Sequence, residues 1–213
     1  MNLNQYIDHT LLKPTATVSD IVKLCTEAKT HSFYAVCVHG CHVPLAKETL
    51  KDSKVKLAAV IGFPLGAMST ESKLFETKYC IEQGADEIDM VINLGWFKSG
   101  LLDLVKQEIV QIKEVLGPRV LKVIIETCYL TEEEKLNICK LILETEADFV
   151  KTSTGFGSGG ATFEDVQLIA KIIKQKKKIK VSGGIKDKNT AMQYIEMGAS
   201  RIGTSSGINI IKD

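Results

Sequence analysis

The sequence has few of the features that mark membrane, secreted or nucleic-acid-binding proteins. Its 213 residues contain 27 Lys and Arg against 26 Asp and Glu, and only one Trp. A nearly neutral charge balance argues against a broad electrostatic surface for nucleic acid or membrane. Residues 31–46 lack Asp, Glu, Lys and Arg. That stretch is shorter than the roughly 20 residues of a membrane-spanning helix and includes three His, a Gly and a Pro, so we expect no membrane span.

Targeting and disulfide signals are also missing. Residues 1–5 show no basic region followed by an apolar stretch, so we expect no secretion signal. The six cysteines are too sparse for a disulfide framework and are expected to be reduced thiols. Together these features predict a cytoplasmic protein.

Short β-branched apolar segments recur along the whole chain. Eight of them are predicted as strands, at residues 6–10, 33–38, 56–61, 87–92, 120–126, 148–152, 178–181 and 200–203. Segments of helical periodicity lie between them. The clearest ends at Gly117-Pro118, and a capping box at Thr131 and Glu134 opens the next one. Residues 165–174 and 189–197 are predicted as further helices.

This alternation is typical of an α/β protein with a parallel sheet and crossover helices. Eight βα units favour a (β/α)8 TIM barrel, and 213 residues would make a lean one. A doubly wound open sheet is the alternative. Because no linker or low-complexity run divides the chain, we expect a single domain over residues 1–213.

Ionisable residues interrupt several predicted strands, although buried parallel strands are usually apolar throughout. They are Asp8, Asp89, Lys122, Lys151 and Lys180. Burying an unpaired charge costs several kcal/mol, so such groups should be paired or functional. The alternative is that they are strand ends facing solvent. That alternative is weaker for Lys151 and Lys180 together, since glycine-rich loops follow both strands.

Two lysines on adjacent strands suggest a nucleophilic amine. Bringing a lysine pKa of ~10.4 to about 7 requires ~4.6 kcal/mol. A second ammonium ~4–6 Å away supplies roughly 3–4 kcal/mol at an effective dielectric of 20, and partial desolvation acts in the same direction. The activated amine would attack a carbonyl to form a Schiff base. A nearby carboxylate such as Asp89 could then shuttle protons.

Glycine is unevenly distributed, since nine of the 16 glycines lie from Gly155 onward. Eight of these nine fall in loops after the last three predicted strands, at residues 152–160, 182–184 and 203–207. Such loops let backbone N–H groups approach an anion, and barrels often bind phosphate after strands 7 and 8. Simple turn formation is the alternative. Glycines 155, 157 and 160 match a dinucleotide fingerprint in spacing only, because three residues separate the strand from Gly155.

The motifs that carry these features resemble the deoxyribose-phosphate aldolase family, Schiff-base aldolases on a (β/α)8 barrel. The resemblance runs nearly end to end, through residues 6–14, 60–66, 87–93, 122–127, 149–155, 180–184 and 201–206. It implies reversible cleavage of 2-deoxyribose 5-phosphate to acetaldehyde and glyceraldehyde 3-phosphate, without a metal or cofactor. The implied partners are therefore phosphosugar and aldehyde substrates, with neither nucleic acid nor membrane. A homodimer and a homotetramer are both left open.

The resemblance also implies roles for individual residues. Lys151 would form the Schiff base, Lys180 would lower its pKa, and Asp89 would donate and accept protons. The phosphate would be held by Gly155, Gly183, Gly184, Gly203, Ser205 and Ser206. Supporting residues would be Asp8, Thr10, Cys37, Lys122 and Lys186.

The resemblance departs at residues 37–42, Cys-Val-His-Gly-Cys-His, where the family more often has Asn-Pro after Cys-Val. Four potential metal ligands lie here, but their spacing matches no structural zinc pattern, so we expect a strand end and loop. The six lysines of residues 171–180 are expected to form a solvated helix end rather than a nucleic-acid patch. A phosphate-handling barrel isomerase, a different lyase and a non-catalytic sugar-phosphate binder remain alternative functions.

Overall fold

Eight parallel strands form the inner wall of the protein in this computed structural model, which describes residues 2–212. They are β1 (Ile7–Thr10), β2 (Ala35–His39), β3 (Lys56–Ile61), β4 (Glu87–Val91), β5 (Val120–Ile124), β6 (Phe149–Lys151), β7 (Lys178–Ser182) and β8 (Arg201–Thr204). Each strand pairs with the next in sequence, and β8 pairs with β1, so the sheet closes. The predicted (β/α)8 TIM barrel is confirmed, and the open doubly wound sheet is excluded.

Helices connect successive strands around the barrel. They are α1 (Val18–Thr30), α2 (Val43–Thr49), α3 (Thr70–Glu82), α4 (Leu94–Lys98), α5 (Leu102–Leu116), α6 (Glu132–Leu143), α7 (Phe163–Ile173), α8 (Lys188–Glu196) and α9 (Gly207–Lys212). Short 3-10 helices occur at Leu3–Tyr6, Gly40–His42 and Thr127–Tyr129. No helix among residues 2–212 combines the length and the apolar character that crossing a membrane requires.

Capping residues explain where the helices begin and end. Thr131 caps α6 and forms the predicted capping box with Glu134. Helix α5 ends before Gly117, which adopts a φ of +59°. Helix α7 begins two residues earlier than predicted, because the Thr162 hydroxyl accepts a hydrogen bond from the backbone N–H of Asp165.

Alternation along the strands separates an outer apolar core from a charged interior. In β4, Ile88 and Met90 join the main hydrophobic core, whereas Glu87 and Asp89 alternate with them on the opposite face. In β2, Cys37 belongs to a separate small cluster of buried side chains. Successive residues of a strand point to opposite faces, so the charged positions within the strands line the interior of the barrel.

Candidate active site

Asp89 is the centre of the charged interior. Its Oδ1 accepts a hydrogen bond from Lys122 Nζ at 2.7 Å, and its Oδ2 accepts hydrogen bonds from Lys151 Nζ and Lys180 Nζ at 2.8 Å each. Strand register produces this convergence, because Asp89 pairs with Lys122 across β4 and β5, and Lys151 pairs with Lys180 across β6 and β7. All four residues are buried, so the alternative of strand-end charges facing solvent is wrong.

The ion pairs continue around the barrel and close on themselves. The ring runs through Asp89, Lys122, Glu87, Arg201, Asp8 and Lys180, with successive N–O distances of 2.7, 2.6, 2.8, 2.6, 2.6 and finally 2.8 Å back to Asp89. It therefore pairs three cations with three anions. Lys151 joins this ring only through Asp89 and is the fourth cation against three carboxylates.

This surplus of one cation fits the direction of each pKa. Burial lowers the pKa of Lys151 below its usual value, and the charge of Lys180 lowers it further while Asp89 opposes both. Burial also acts against the charge of Lys180, but Asp8 and Asp89 outweigh it and raise the pKa of that lysine. Although burial would raise the pKa of Asp89, the three lysines hold it well below its usual range. Among the lysines of this cluster, Lys151 is thus the amine that most readily becomes neutral.

The other predicted supporting residues fall at different distances from this centre. Asp8 and Lys122 belong to the ring itself. The Cys37 thiol lies 3.9 Å from Asp89 Oδ2, and burial raises the pKa of this thiol. Thr10 Oγ1 donates a hydrogen bond to the backbone carbonyl of Asp8 at 2.8 Å, and Thr10 borders the cavity above Lys151.

A cavity of about 280 Å³ lies above Lys151, at the carboxyl ends of the strands. Lys186 borders this cavity, and so does every residue predicted to hold the phosphate. Those residues are Gly155, Gly183, Gly184, Gly203, Ser205 and Ser206. Asp89 and Lys180 do not reach the wall, so Lys151 is the only member of the charged cluster within residues 2–212 that borders the cavity. An adjoining cavity of about 510 Å³ contains none of the buried lysines.

Close backbone approach explains two of the glycines. A Cβ on Gly160 would lie 2.3 Å from the Gly183 carbonyl oxygen, so the loops after β6 and β7 can touch only without it. A Cβ on Gly203 would lie 2.4 Å from Ser182 Oγ and 3.0 Å from Lys180 Cε. Within residues 2–212, the backbone N–H groups of Gly155, Gly183 and Gly184 donate no hydrogen bond to the protein. These free donors suit an anion.

Sequence reasoning missed several residues of the site. Glu87 and Arg201 complete the ring, and the signal for both was their position inside predicted strands. Lys13 borders both cavities but lies in a loop without a distinguishing pattern. Glu126 and Thr154 bond to each other beside the cavity, at positions that neighbouring motifs include but do not single out.

The segment from Cys37 to His42 does not converge on one point. The Cys37 side chain lies inside the barrel, His39 Nε2 lies 3.0 Å from the Leu12 carbonyl oxygen, and Cys41 is exposed. Among residues 2–212, no group of three or more His, Cys, Asp or Glu side chains is arranged to hold a metal ion.

A cavity at the carboxyl ends of the strands, above a buried charged cluster, is the place where (β/α)8-barrel enzymes have their active sites. The chain belongs to the DeoC/LacD family of aldolases, whose model matches residues 3–213.

Individual relatives agree with this family. A deoxyribose-phosphate aldolase from Thermococcus gammatolerans is 56% identical over 217 residues, covering 100% of this chain and 96% of the relative. One from Brevibacillus brevis is 55% identical, covering 99% of this chain and 96% of the relative. The solved tetrameric deoxyribose phosphate aldolase from Aeropyrum pernix is 32% identical, with a TM-score of 0.89 over 98% of this chain and 88% of its own.

Proposed function

We propose that this protein is an aldolase that reversibly cleaves 2-deoxyribose 5-phosphate to acetaldehyde and glyceraldehyde 3-phosphate through a Schiff base on Lys151. One observation carries the proposal. Among the four buried cations of the charged cluster in residues 2–212, Lys151 is the one that borders the cavity, the one without a carboxylate of its own and the one whose pKa is lowered. The relatives named deoxyribose-phosphate aldolase support this choice of substrate.

The reaction begins when the neutral amine of Lys151 adds to the C1 aldehyde of the open-chain sugar. Loss of water gives the protonated imine. The C3 hydroxyl then loses its proton, the C2–C3 bond breaks, and its electron pair moves into the imine to form an enamine. Glyceraldehyde 3-phosphate leaves, a proton adds to the enamine at C2, and hydrolysis releases acetaldehyde and restores Lys151. The imine on Lys151 therefore accepts the electron pair of the breaking C2–C3 bond, and the enamine returns that pair to C2 when the proton adds.

Asp89 and Lys180 suit the proton transfers. Asp89 is ionised because the lysines hold the pKa of its carboxyl well below its usual range, so it is a weak base that takes up a proton only transiently. Lys180 remains charged because its pKa is raised; bound to the same Oδ2 of Asp89 as Lys151, it orients the carboxylate and relays a proton that is returned within the cycle. Because neither borders the cavity, a water molecule is needed to carry the proton to the substrate.

The phosphate is assigned to the loops after β6, β7 and β8. The free N–H groups of Gly155, Gly183 and Gly184 supply donors, and Ser205 and Ser206 supply hydroxyl groups. Lys186 on the same wall adds a positive charge. In this proposal the anion lies away from the ring of ion pairs, and the sugar lies over Lys151.

The test is reduction with borohydride in the presence of acetaldehyde, followed by peptide mass mapping. We expect a two-carbon adduct on Lys151, loss of the adduct in Lys151→Met, and retention in the matched control Lys186→Met. An adduct on another residue, or none, would contradict the mechanism. An isomerase or a non-catalytic binder would show no adduct and no release of aldehyde from 2-deoxyribose 5-phosphate.

Three further features belong to this proposal. The chain acts as one catalytic domain, because the ring of ion pairs joins β1 with β8. It lies in the reducing cytoplasm, where its six free cysteines would stay reduced.

The protein assembles as a homodimer or homotetramer, since Leu65 and Phe75 are each 72% exposed and apolar. Light scattering would measure the assembly, and a monomer at micromolar concentration would contradict it.

A further inference from the structure

Glu126 is a buried carboxylate that belongs neither to the ring of ion pairs nor to the proposed proton transfers. It follows β5, is only 2% exposed, and adopts the left-handed conformation with φ +50° and ψ +70°. This region disfavours residues with a Cβ, and glycine or asparagine is more usual there. Four other non-glycine residues among residues 2–212 also have a positive φ, so the evidence for a role of Glu126 comes from the contacts of its buried side chain.

That side chain binds the loop that follows the Schiff-base strand β6. Oε1 of Glu126 accepts a hydrogen bond from the Thr154 backbone N–H at 3.1 Å, and Oε2 accepts one from the Thr154 hydroxyl. The same hydroxyl accepts a hydrogen bond from the backbone N–H of Phe156 at 2.9 Å. Gly155, at φ +86°, lies between these anchored residues. A single carboxylate therefore fixes the turn around Gly155.

Further along the same loop, the backbone at Gly157 also lies close to the carboxyl group of Glu126. A Cβ on Gly157 would lie 3.3 Å from Glu126 Cδ and 2.7 Å from Cys128 Sγ. A larger residue at this position would require Cys128 Sγ to move and would press against Glu126 Cδ. The loop backbone at Gly157 therefore packs directly against the Glu126 side chain.

The Schiff-base lysine is anchored separately from this turn. The Thr152 hydroxyl donates to the Ser182 carbonyl oxygen at 3.2 Å and accepts from the Ser182 N–H at 3.1 Å. These bonds tie β6 to β7 directly after Lys151. Loosening the turn at Gly155 should consequently leave the lysine in place.

We propose that Glu126 is a positioning residue that holds the turn at Thr154 and Gly155 against the substrate phosphate, and so sets the preference for phosphorylated over unphosphorylated sugars. This inference rests on the proposed function. The two donors from Thr154 satisfy the carboxylate, and the N–H of Gly155 stays free for the phosphate. Without Glu126 the turn would have several conformations, and phosphate binding would have to select one of them.

The test compares the Glu126→Gln variant with the wild type on 2-deoxyribose 5-phosphate and on 2-deoxyribose. Glutamine has the same shape, but its amide nitrogen would face the hydroxyl of Thr154 as a second donor. We expect the KM for the phosphorylated sugar to rise roughly tenfold or more, as for the loss of a hydrogen bond to a charged group. We expect kcat/KM for 2-deoxyribose and the borohydride adduct with acetaldehyde to stay within about twofold.

Variants at Thr154 make the test independent of how Glu126→Gln folds. Thr154→Val removes the hydroxyl at nearly constant volume and should repeat the effect, whereas Thr154→Ser should keep wild-type selectivity. The double variant should be no worse than either single one, because both remove the same contact. Glu134→Gln, in the capping box of α6, is the matched control and should leave selectivity unchanged.

The outcomes separate this inference from the function on which it rests. Equal losses on both sugars, or no change on either, would overturn the role of Glu126 while the wild-type adduct on Lys151 still stood. A wild type that forms no adduct and cleaves neither sugar would overturn the proposed function, and the role of Glu126 with it.

Discussion

Lys151 and Lys180 donate hydrogen bonds to the same oxygen, Oδ2 of Asp89, at 2.8 Å each. Their two nitrogens therefore lie within twice that distance of each other, where two positive charges repel strongly in a buried site. Lys180 has a second carboxylate, Asp8, at 2.6 Å, whereas Asp89 is the sole ion-pair partner of Lys151 within residues 2–212. Because Lys180 has two carboxylate partners and Lys151 has one, Lys151 is the amine that gives up its proton.

Replacing Lys180 with Met should raise the pH at which Lys151 forms an imine. The substitution removes a positive charge that lowers the pKa of Lys151, and Asp89 is left to stabilise the charged form. At a separation near 5 Å and an effective dielectric of 20, the shift should be about two pH units. The measurement is the pH dependence of borohydride trapping with acetaldehyde. An unchanged profile would remove Lys180 from the activation of Lys151.

Replacing Asp89 with Asn should move the same profile in the opposite direction. Asp89 raises the pKa of Lys151, so its loss favours the neutral amine and lets the imine form at lower pH. Turnover should nevertheless fall by roughly 10²–10⁴, because the variant lacks the proton acceptor. Trapping and steady-state cleavage, measured on the same preparation, would separate these effects. A trapping midpoint that rose instead would contradict this account of the charges.

The barrel itself could be predicted from the sequence because each strand is buried on both faces and contrasts with amphipathic helices. Charges inside apolar strands also led to the prediction that Asp89, Lys122 and Lys180 are paired or functional, and all three form buried ion pairs. Period-two alternation explains this success, since a charge between two apolar residues must face the barrel interior. The strand ends differed by one or two residues, as at β6, where Asp148 and Thr152 lie outside the strand.

The closure of the ring could not be predicted in the same way. Arg201 reaches Asp8 across 193 positions and Glu87 across 114, and such pairs depend on barrel closure and register. Lys180 was expected from the sequence to supply most of the activation of Lys151, whereas burial is the larger cause. Burial depends on what packs around a side chain, which a single strand does not show. Glu126 was missed because a left-handed glutamate has no local sequence signal.

A second buried ion pair, Lys73 with Glu108, should matter for stability and not for catalysis. Lys73 Nζ lies 2.8 Å from Glu108 Oε2 and donates to the Val91 carbonyl oxygen, with both charged side chains fully buried between α3 and α5. Lys73→Met should reduce the free energy of unfolding by about 3–5 kcal/mol, because it leaves an unpaired buried carboxylate. Urea unfolding measures this change.

A double variant and an exposed pair provide the controls for that prediction. Lys73→Met combined with Glu108→Leu should be close to neutral, since no buried charge remains. Lys98→Met breaks a pair whose side chains are 42% and 27% exposed, so its effect should be at most about 1 kcal/mol. A Lys73→Met variant as stable as the wild type would contradict the prediction.

Asp8 should make the folded protein sensitive to acid. Burial alone would raise the pKa of its carboxyl, but Lys180 and Arg201 outweigh burial and lower the pKa from 3.8 to about 2. The folded state therefore gains stability from ionised Asp8 above pH 3.8, and this gain is lost as the pH falls towards about 2. Its size should be on the order of 2 kcal/mol. Urea unfolding of the wild type and Asp8→Asn between about pH 5 and pH 2.5 measures it. The free energy of unfolding should fall less steeply with acid in the variant, and equal slopes would show that Asp8 does not carry this sensitivity.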